Sequence, residues 1–275
     1  MIESNQQARI LIMPFTNFNQ QKLFYTDQGQ GFPVVFIHGF CEDASMWDDF
    51  IKPFCINYRL ITMDLPGFGQ SEIQEEHSIL NYAEAVKTVL DTLNVQECVM
   101  IGHSMGGYTT LAFAEKYPNY LKGLGLFHSH PFADNESKRA SRAKTIRFIQ
   151  KYGNAPFLGQ MIPVLFTKYF AKANPNLVNK MIDDATTFPE SGIIAGLEAM
   201  LNRPNRATVL EKILVPVLLI IGKEDGAIPY ESSLRMSNLA EVTDLQIIDN
   251  IGHMGMFESR EVTEKIVMNF LEFVM

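Results

Sequence analysis

Ser104 stands at the centre of Gly102-His103-Ser104-Met105-Gly106, after an apolar run, Cys98 to Ile101, and before a helix-like run, Gly107 to Tyr117. A nucleophilic hydroxyl needs that order of strand, sharp turn and helix, because the turn lifts the serine off a sheet and presents it at a helix N-terminus. The serine backbone is then strained, and side chains two positions away would collide, so glycine is required at 102 and 106. A serine hydroxyl is a poor nucleophile near neutrality. A base must take its proton, and an acid must fix the tautomer of that base and stabilise its cation. Among six histidines, His253 follows the last strand-like run, and Asp225 follows the one before it. Loops at the carboxyl ends of such strands are where ligand chemistry collects. Glu224 and Asp249 are alternative acids. Acyl transfer also builds negative charge on a carbonyl oxygen, and the N–H of Met105, just after the serine, is placed to receive it.

The elements that must hold these groups alternate along the chain. Short runs rich in Val, Ile, Leu and Phe predict strands at Lys22 to Thr26, Val34 to Ile37, Arg59 to Met63, Cys98 to Gly102, Leu121 to Phe127, Val217 to Gly222 and Asp244 to Ile248. Amphipathic stretches predict helices at about 45–54, 79–93, 105–117, 231–239 and 259–273. This is the pattern of an α/β fold: a mostly parallel central sheet with helices on both faces. Residues 130–210 break the alternation with helical periodicity and no convincing strand, and read as a helical insertion. They hold eleven Lys and Arg against six Asp and Glu, in a chain whose formal net charge is -8. Lys138, Arg139, Arg142, Lys144, Arg147 and Lys151 are the densest basic part. Such a run is either a solvated face or a docking surface for an anionic substrate tail or an acidic partner.

With 275 residues, 47% of them hydrophobic, the chain can bury a large core and is expected to be one α/β domain carrying an insertion. Its acidity argues against nucleic acid and anionic membranes as partners and in favour of small molecules. The start of the chain, residues 1–7, lacks the basic and apolar regions of a signal peptide, and no 18-residue apolar run exists, so a cytoplasmic location is expected. Cys41, Cys55 and Cys98 are odd in number and have no metal-ligand spacing, which fits a reducing compartment and no structural zinc. His128 and His130 have neither a carboxylate nor a third histidine near them in sequence to complete a metal site. No cofactor is expected.

These motifs resemble the α/β-hydrolase superfamily, in particular serine-nucleophile, carboxylesterase-like members with a helical cap. Nucleophile, acid and base occur in the family's order, Ser104, Asp225, His253, and the likeness runs from His38-Gly39-Phe40 to Gly252-His253. The Asp64-Leu65-Pro66-Gly67-Phe68-Gly69-Gln70-Ser71 stretch resembles the family's loop after its fourth strand, although Gln70 stands where a small or basic residue is common. The resemblance implies a core of residues 1–129 and 211–275, and a helical cap at 130–210 inserted after the family's sixth strand. It also implies a second oxyanion donor, the N–H of Phe40. In such a frame His38 and His103 read as structural, and one of His128 and His130 as bordering the pocket. Trp47 reads as packing and Cys41 as a small apolar spacer. Met254, Met256 and Phe257 either keep the base dry or begin the last helix. Some of Phe157, Met161, Ile162, Leu165, Phe166, Phe170 and Met181 should line a partly apolar pocket.

The expected function is a cofactor-independent serine hydrolase that cleaves a carboxylic ester of a medium-sized, partly apolar substrate through an acyl-enzyme. An alternative keeps the same triad for a thioester, lactone, amide or carbon-carbon bond. The basic insertion tilts the substrate toward a carboxylate, or an acyl group on an acidic carrier protein. A third reading is a non-catalytic ligand-binding protein on the same fold. Dehalogenases and epoxide hydrolases need a carboxylate where Ser104 stands, which argues against both.

Overall fold

The computed structural model describes residues 14–275. Residues 1–13, which include the stretch read for a signal peptide and the first part of the expected core, lie outside the described residues. Eight strands form one sheet: β1 (Phe15–Phe18), β2 (Gln21–Gly29), β3 (Phe32–Ile37), β4 (Tyr58–Met63), β5 (Cys98–His103), β6 (Leu121–Phe127), β7 (Val217–Gly222) and β8 (Thr243–Ile248). Their order across the sheet is β1-β2-β4-β3-β5-β6-β7-β8. The pairs β1–β2 and β2–β4 are antiparallel, and all others are parallel. Every residue of β5 and β7 is buried, as expected for parallel strands covered on both faces, and this is why they read as continuous apolar runs. The register brings His103 opposite Phe127 and Gly222 opposite Ile248, so the loops after β5, β6, β7 and β8 open at one edge of the sheet.

The helices are α1 (Ile79–Thr92), α2 (Met105–Lys116), α3 (Glu136–Tyr152), α4 (Ala155–Met161), α5 (Lys168–Ala173), α6 (Pro175–Thr186), α7 (Glu190–Leu201), α8 (Ala207–Lys212), α9 (Tyr230–Leu234), α10 (Gly255–Glu258) and α11 (Arg260–Val274). Six of them, α3 to α8, lie between β6 and β7, and α3 packs on α7. The core is aromatic where the sheet meets the loop after β3: Trp47 is fully buried, with ring centroids 5.2 Å from Phe36 and 5.4 Å from Phe50.

Three local expectations need correction. The helix expected at 45–54 is two 3-10 turns, Ala44–Trp47 and Lys52–Ile56. Pro53 has no N–H to return to Asp49, so an α-helical ladder cannot run through it. The helix expected at 231–239 ends at Leu234, after which the bonds tighten to i→i−3 turns such as Ser237 N–H to the Leu234 carbonyl. The sheet also has a further strand, β1, a half-exposed four-residue edge too short to declare itself by periodicity. Among the described residues no helix is long and apolar enough to cross a membrane.

Candidate active site

Ser104 occupies the turn between β5 and α2 with φ 50° and ψ −114°, a left-handed conformation that a serine adopts only under constraint. The constraint is visible in its hydrogen bonds. Its N–H donates to the Phe127 carbonyl at 3.0 Å, and its own carbonyl accepts from the Ser129 hydroxyl at 2.7 Å and from Gly107 N–H at 3.0 Å. A Cβ at position 106 would come within 2.4 Å of the Ile37 carbonyl oxygen, so the turn can press against the end of β3 only with glycine there. Across that junction, neither Met105 N–H nor Phe40 N–H donates a hydrogen bond to another described residue.

His253 and Asp225 meet from the loops after β8 and β7. His253 Nδ1 lies 2.7 Å from Asp225 Oδ2, and Asp225 Oδ1 accepts the N–H groups of Ala227 and Ile228, both at 2.8 Å. Burial alone would raise the Asp225 pKa, but the His253 ring, His128 and the backbone donor hold it down at about 2. A carboxylate on Nδ1 fixes the neutral ring with its proton there and leaves Nε2 as the acceptor. The His253 backbone is held from the insertion side, its N–H donating to the Leu165 carbonyl at 2.7 Å. The other two acids are elsewhere: Glu224 is exposed, and Asp249 pairs with Lys223 at 2.6 Å on the surface.

Ser104 and His253 line one cavity of about 300 Å³. Part of its lining is apolar, with Phe40, Phe157, Met161, Leu165, Leu197 and Met200. Another part is polar and cationic, with Tyr108, His130, Asp134, Lys138, Ser141 and Arg142. Asp134 is shared between Arg142 at 2.5 Å and Arg203 at 2.8 Å, and Arg203 lies 3.9 Å above the Tyr108 ring. Lys138 has no carboxylate within ion-pair distance among the described residues; partial burial and Arg142 push its pKa down. The cationic part therefore carries a surplus of positive charge.

The sequence expectations sort as follows. Phe157, Met161 and Leu165 reach this cavity, whereas Phe170 and Met181 line a separate one of about 490 Å³ with Cys41 and Phe257. His130 borders the first cavity and His128 lies behind it, 3.8 Å from Asp225; burial drives the pKa of each down to about 3, so both are neutral. His38 is fully buried, its Nε2 accepting Leu65 N–H at 2.8 Å and its Nδ1 2.8 Å from the Gly39 carbonyl. Within the basic run, Lys138 and Arg142 reach the cavity but Arg139 does not; it donates to the Leu201 carbonyl. Cys41, expected as a small apolar spacer, is buried, and burial raises its pKa. Cavity residues that the sequence did not single out include Tyr108, Asp134, Leu197 and Met200, and Glu42, a buried acid paired with His103 at 2.9 Å. No group of three His, Cys, Asp or Glu among the described residues could hold a metal ion.

Comparison with known proteins agrees with this architecture. A family model described as the alpha/beta hydrolase fold matches residues 33–259. The chain is 27% identical, over 89% of its length and 90% of the relative's, to a 2-hydroxy-6-oxononadienedioate/2-hydroxy-6-oxononatrienedioate hydrolase of Pseudomonas sp. Among solved structures it superposes on a thermophilic esterase from Thermogutta terrifontis, with malate bound, at a TM-score of 0.88 and 26% identity, covering 95% of this chain and 97% of that one. It superposes on the enol-lactonase from Burkholderia xenovorans LB400 at 0.87 and 21% identity, covering 94% and 100%.

Proposed function

Because the chain belongs to the α/β-hydrolase fold family, we propose that it is a serine hydrolase whose substrate is a ketone with a conjugated, carboxylate-bearing tail, cleaved at a carbon-carbon bond. The sequence alone favoured a carboxylic ester. The observation that carries the revised reading is the mixed lining of the cavity that Ser104 and His253 share, apolar in part and surplus-positive at Lys138 and Arg142. A neutral ester has no use for that charge. An acyl dienoate does, and the Pseudomonas relative is named for a dicarboxylic substrate of this kind.

The residues take the following roles. His253 Nε2 receives the Ser104 proton as Oγ adds to the ketone carbon, and the Asp225 carboxylate stabilises the imidazolium that results. The oxygen that gains charge is met by the N–H groups of Phe40 and Met105, each worth about 2.7–4 kcal/mol of transition-state stabilisation on the scale of known oxyanion donors. When the tetrahedral adduct collapses, the carbon-carbon bond on the conjugated side breaks. For this the 2-enol proton of the tail has first moved to the carbon beside the ketone, making it saturated, so that the electron pair of the breaking bond runs through the remaining alkene to the 2-keto oxygen, and that oxygen takes the proton from His253. Water, deprotonated by His253, then adds to the acyl-Ser104 ester and releases the second acid. An ester follows the same steps with an alkoxide in place of the carbon leaving group. The helices α3 to α8 act as the cap that shapes this pocket.

The test is a direct competition between bonds. Initial rates are measured on a 2-hydroxy-6-oxo-dienedioate, followed by loss of its chromophore, and on p-nitrophenyl esters of graded acyl length, for wild type and Ser104→Ala. The expected result is a kcat/KM for the dienedioate at least about 100-fold above any neutral ester, with both activities lost in the variant. Turnover of esters alone would return the assignment to a carboxylesterase.

A further inference from the structure

Beneath the pocket the structure holds two charged groups that the proposed mechanism does not use. Glu42 follows Phe40 by two residues and its side chain is 4% exposed; His103 precedes Ser104 and its side chain is fully buried. Glu42 Oε2 accepts the Gly39 N–H at 2.6 Å and lies 2.9 Å from His103 Nδ1. The other nitrogen of that ring, Nε2, lies 3.0 Å from the backbone carbonyl oxygen of His253. A carbonyl oxygen can only accept, and so can an ionised carboxylate. Both ring nitrogens must then carry hydrogen, which a neutral imidazole cannot supply. With Glu42 ionised, as its acceptance of the Gly39 N–H favours, the hydrogen-bond pattern makes His103 an imidazolium and Glu42 its counter-ion.

We propose that Glu42 and His103 are positioning residues, a buried carboxylate–imidazolium pair that ties the Gly39–Phe40 loop to the backbone of His253 through the residue next to the nucleophile. This rests on the assignment of Ser104, His253 and Phe40 above. Its chemical logic has two parts. Fixing Gly39 N–H on one side and the His253 carbonyl on the other sets the distance between the oxyanion donor and the base, and misplacement of about 1 Å in such groups costs on the order of 100-fold in rate. The second part is charge. Glu42 lines the cavity beside Phe40, where a lone carboxylate would oppose the negative charge growing on the substrate oxygen, and the His103 proton cancels it.

The surroundings agree. Burial works against both charges, yet His103 holds the Glu42 pKa below the usual carboxylate range, and Glu42, with help from Asp225, holds that of His103 above the usual histidine value. The other titratable groups facing the pair are Cys41 and His38 near Glu42, and His128 and His253, whose ring centroids lie 6.3 Å and 4.9 Å from that of His103. The aromatic rings of Trp47 and Phe127 close the remaining sides. A Cβ at position 39 would sit 2.6 Å from Glu42 Oε2 and 2.8 Å from His103 Nδ1, so the loop lies directly on the pair.

Nitrogen-15 NMR of the histidine side chains in the full-length protein at pH 7.5 reads the protonation state without any substrate. The expected spectrum contains one imidazole protonated on both nitrogens, missing in His103→Gln; a neutral His103 ring overturns the proposal. Kinetics then test the positioning. Glu42→Gln and His103→Gln each strand one buried charge and can fail to fold, so the double variant, which removes both charges, is measured beside them. Any folded variant should lose about 10- to 100-fold in kcat with KM within about twofold of wild type. The double variant should be no slower than the worse single one, because the two act as a unit. A folded double variant with wild-type kcat overturns the proposal. A wild type that turns over no carbonyl substrate counts against the proposed function instead, and the NMR result still decides the pair.

Discussion

Asp225 is the residue whose role the geometry makes easiest to test. Its Oδ2 faces His253 Nδ1 at 2.7 Å and its Oδ1 is occupied by two backbone N–H groups. Asp225→Asn can keep the backbone bonds but turns an N–H toward His253, so the ring carries its proton on Nε2 and can no longer accept from Ser104. We expect kcat to fall by about 10⁴-fold, the size of the same change in a serine protease, with the thermal midpoint within a few degrees of wild type. A loss under tenfold would mean that His253 is not oriented by this carboxylate. The legibility of such residues in sequence depends on whether their neighbours constrain them. Ser104 sits between glycines at a strand-to-helix junction, and Asp225 and His253 each follow an apolar strand, so their places could be read. Glu42 could not, since nothing in Phe40-Cys41-Glu42-Asp43 distinguishes an acid that will be buried against His103 from its exposed neighbours.

On the proposed function, the element that sets specificity is α3. Asn135 caps it, its side chain accepting Lys138 N–H at 2.9 Å, and the first two turns then place Lys138 and Arg142 toward the cavity. Cations in the first turn of a helix oppose its dipole, and Glu136 offsets this only in part, so Lys138 stands where helix stability does not favour it. The anionic substrate of the proposed function would account for that placement. Lys138→Met should lower kcat/KM for a carboxylate-bearing substrate by about tenfold, leave a neutral ester unchanged, and leave the thermal midpoint unchanged or slightly raised. Equal losses on both substrates would remove the charge argument. Arg142→Met should act in the same direction with some loss of stability, since it leaves Asp134 with Arg203 alone. Here the sequence was legible as far as the i,i+4 spacing, which puts 138 and 142 on one face. It could not exclude Arg139, because the fold of six short helices depends on contacts among α3, α4, α6 and α7 that no local pattern encodes. The sheet was legible most plainly at β5 and β7, where burial on both faces writes an apolar run. It was not at β1, where half the residues face water.

Stability of the whole molecule should turn on the two neutral histidines that follow β6. His128 and His130 both have pKa values near 3 in the folded protein, against about 6.5 in an unfolded chain. The unfolded state therefore binds up to two more protons as pH falls below about 6.5, and each removes about 1.4 kcal/mol of stability per pH unit until its folded pKa is reached. His103 does not compensate in this range. Its pKa is raised by folding, so its contribution is complete below the unfolded value and is lost only as pH rises through the folded one. Asp225 does not intervene either, since it titrates near 2 when folded and its contribution begins to fall only as pH approaches about 4, whereas Asp64, whose pKa burial raises, acts against the histidines toward the acid end of the range. Between pH 6.5 and 4.5 the two histidines should together cost about 5 kcal/mol, comparable to the whole stability of many domains. Urea unfolding across that window should show the free energy falling with a slope near two protons, and His130→Gln should reduce the slope to about one. A flat profile in the wild type would mean that these rings gain access to water, and hence to protons, while the sheet stays folded.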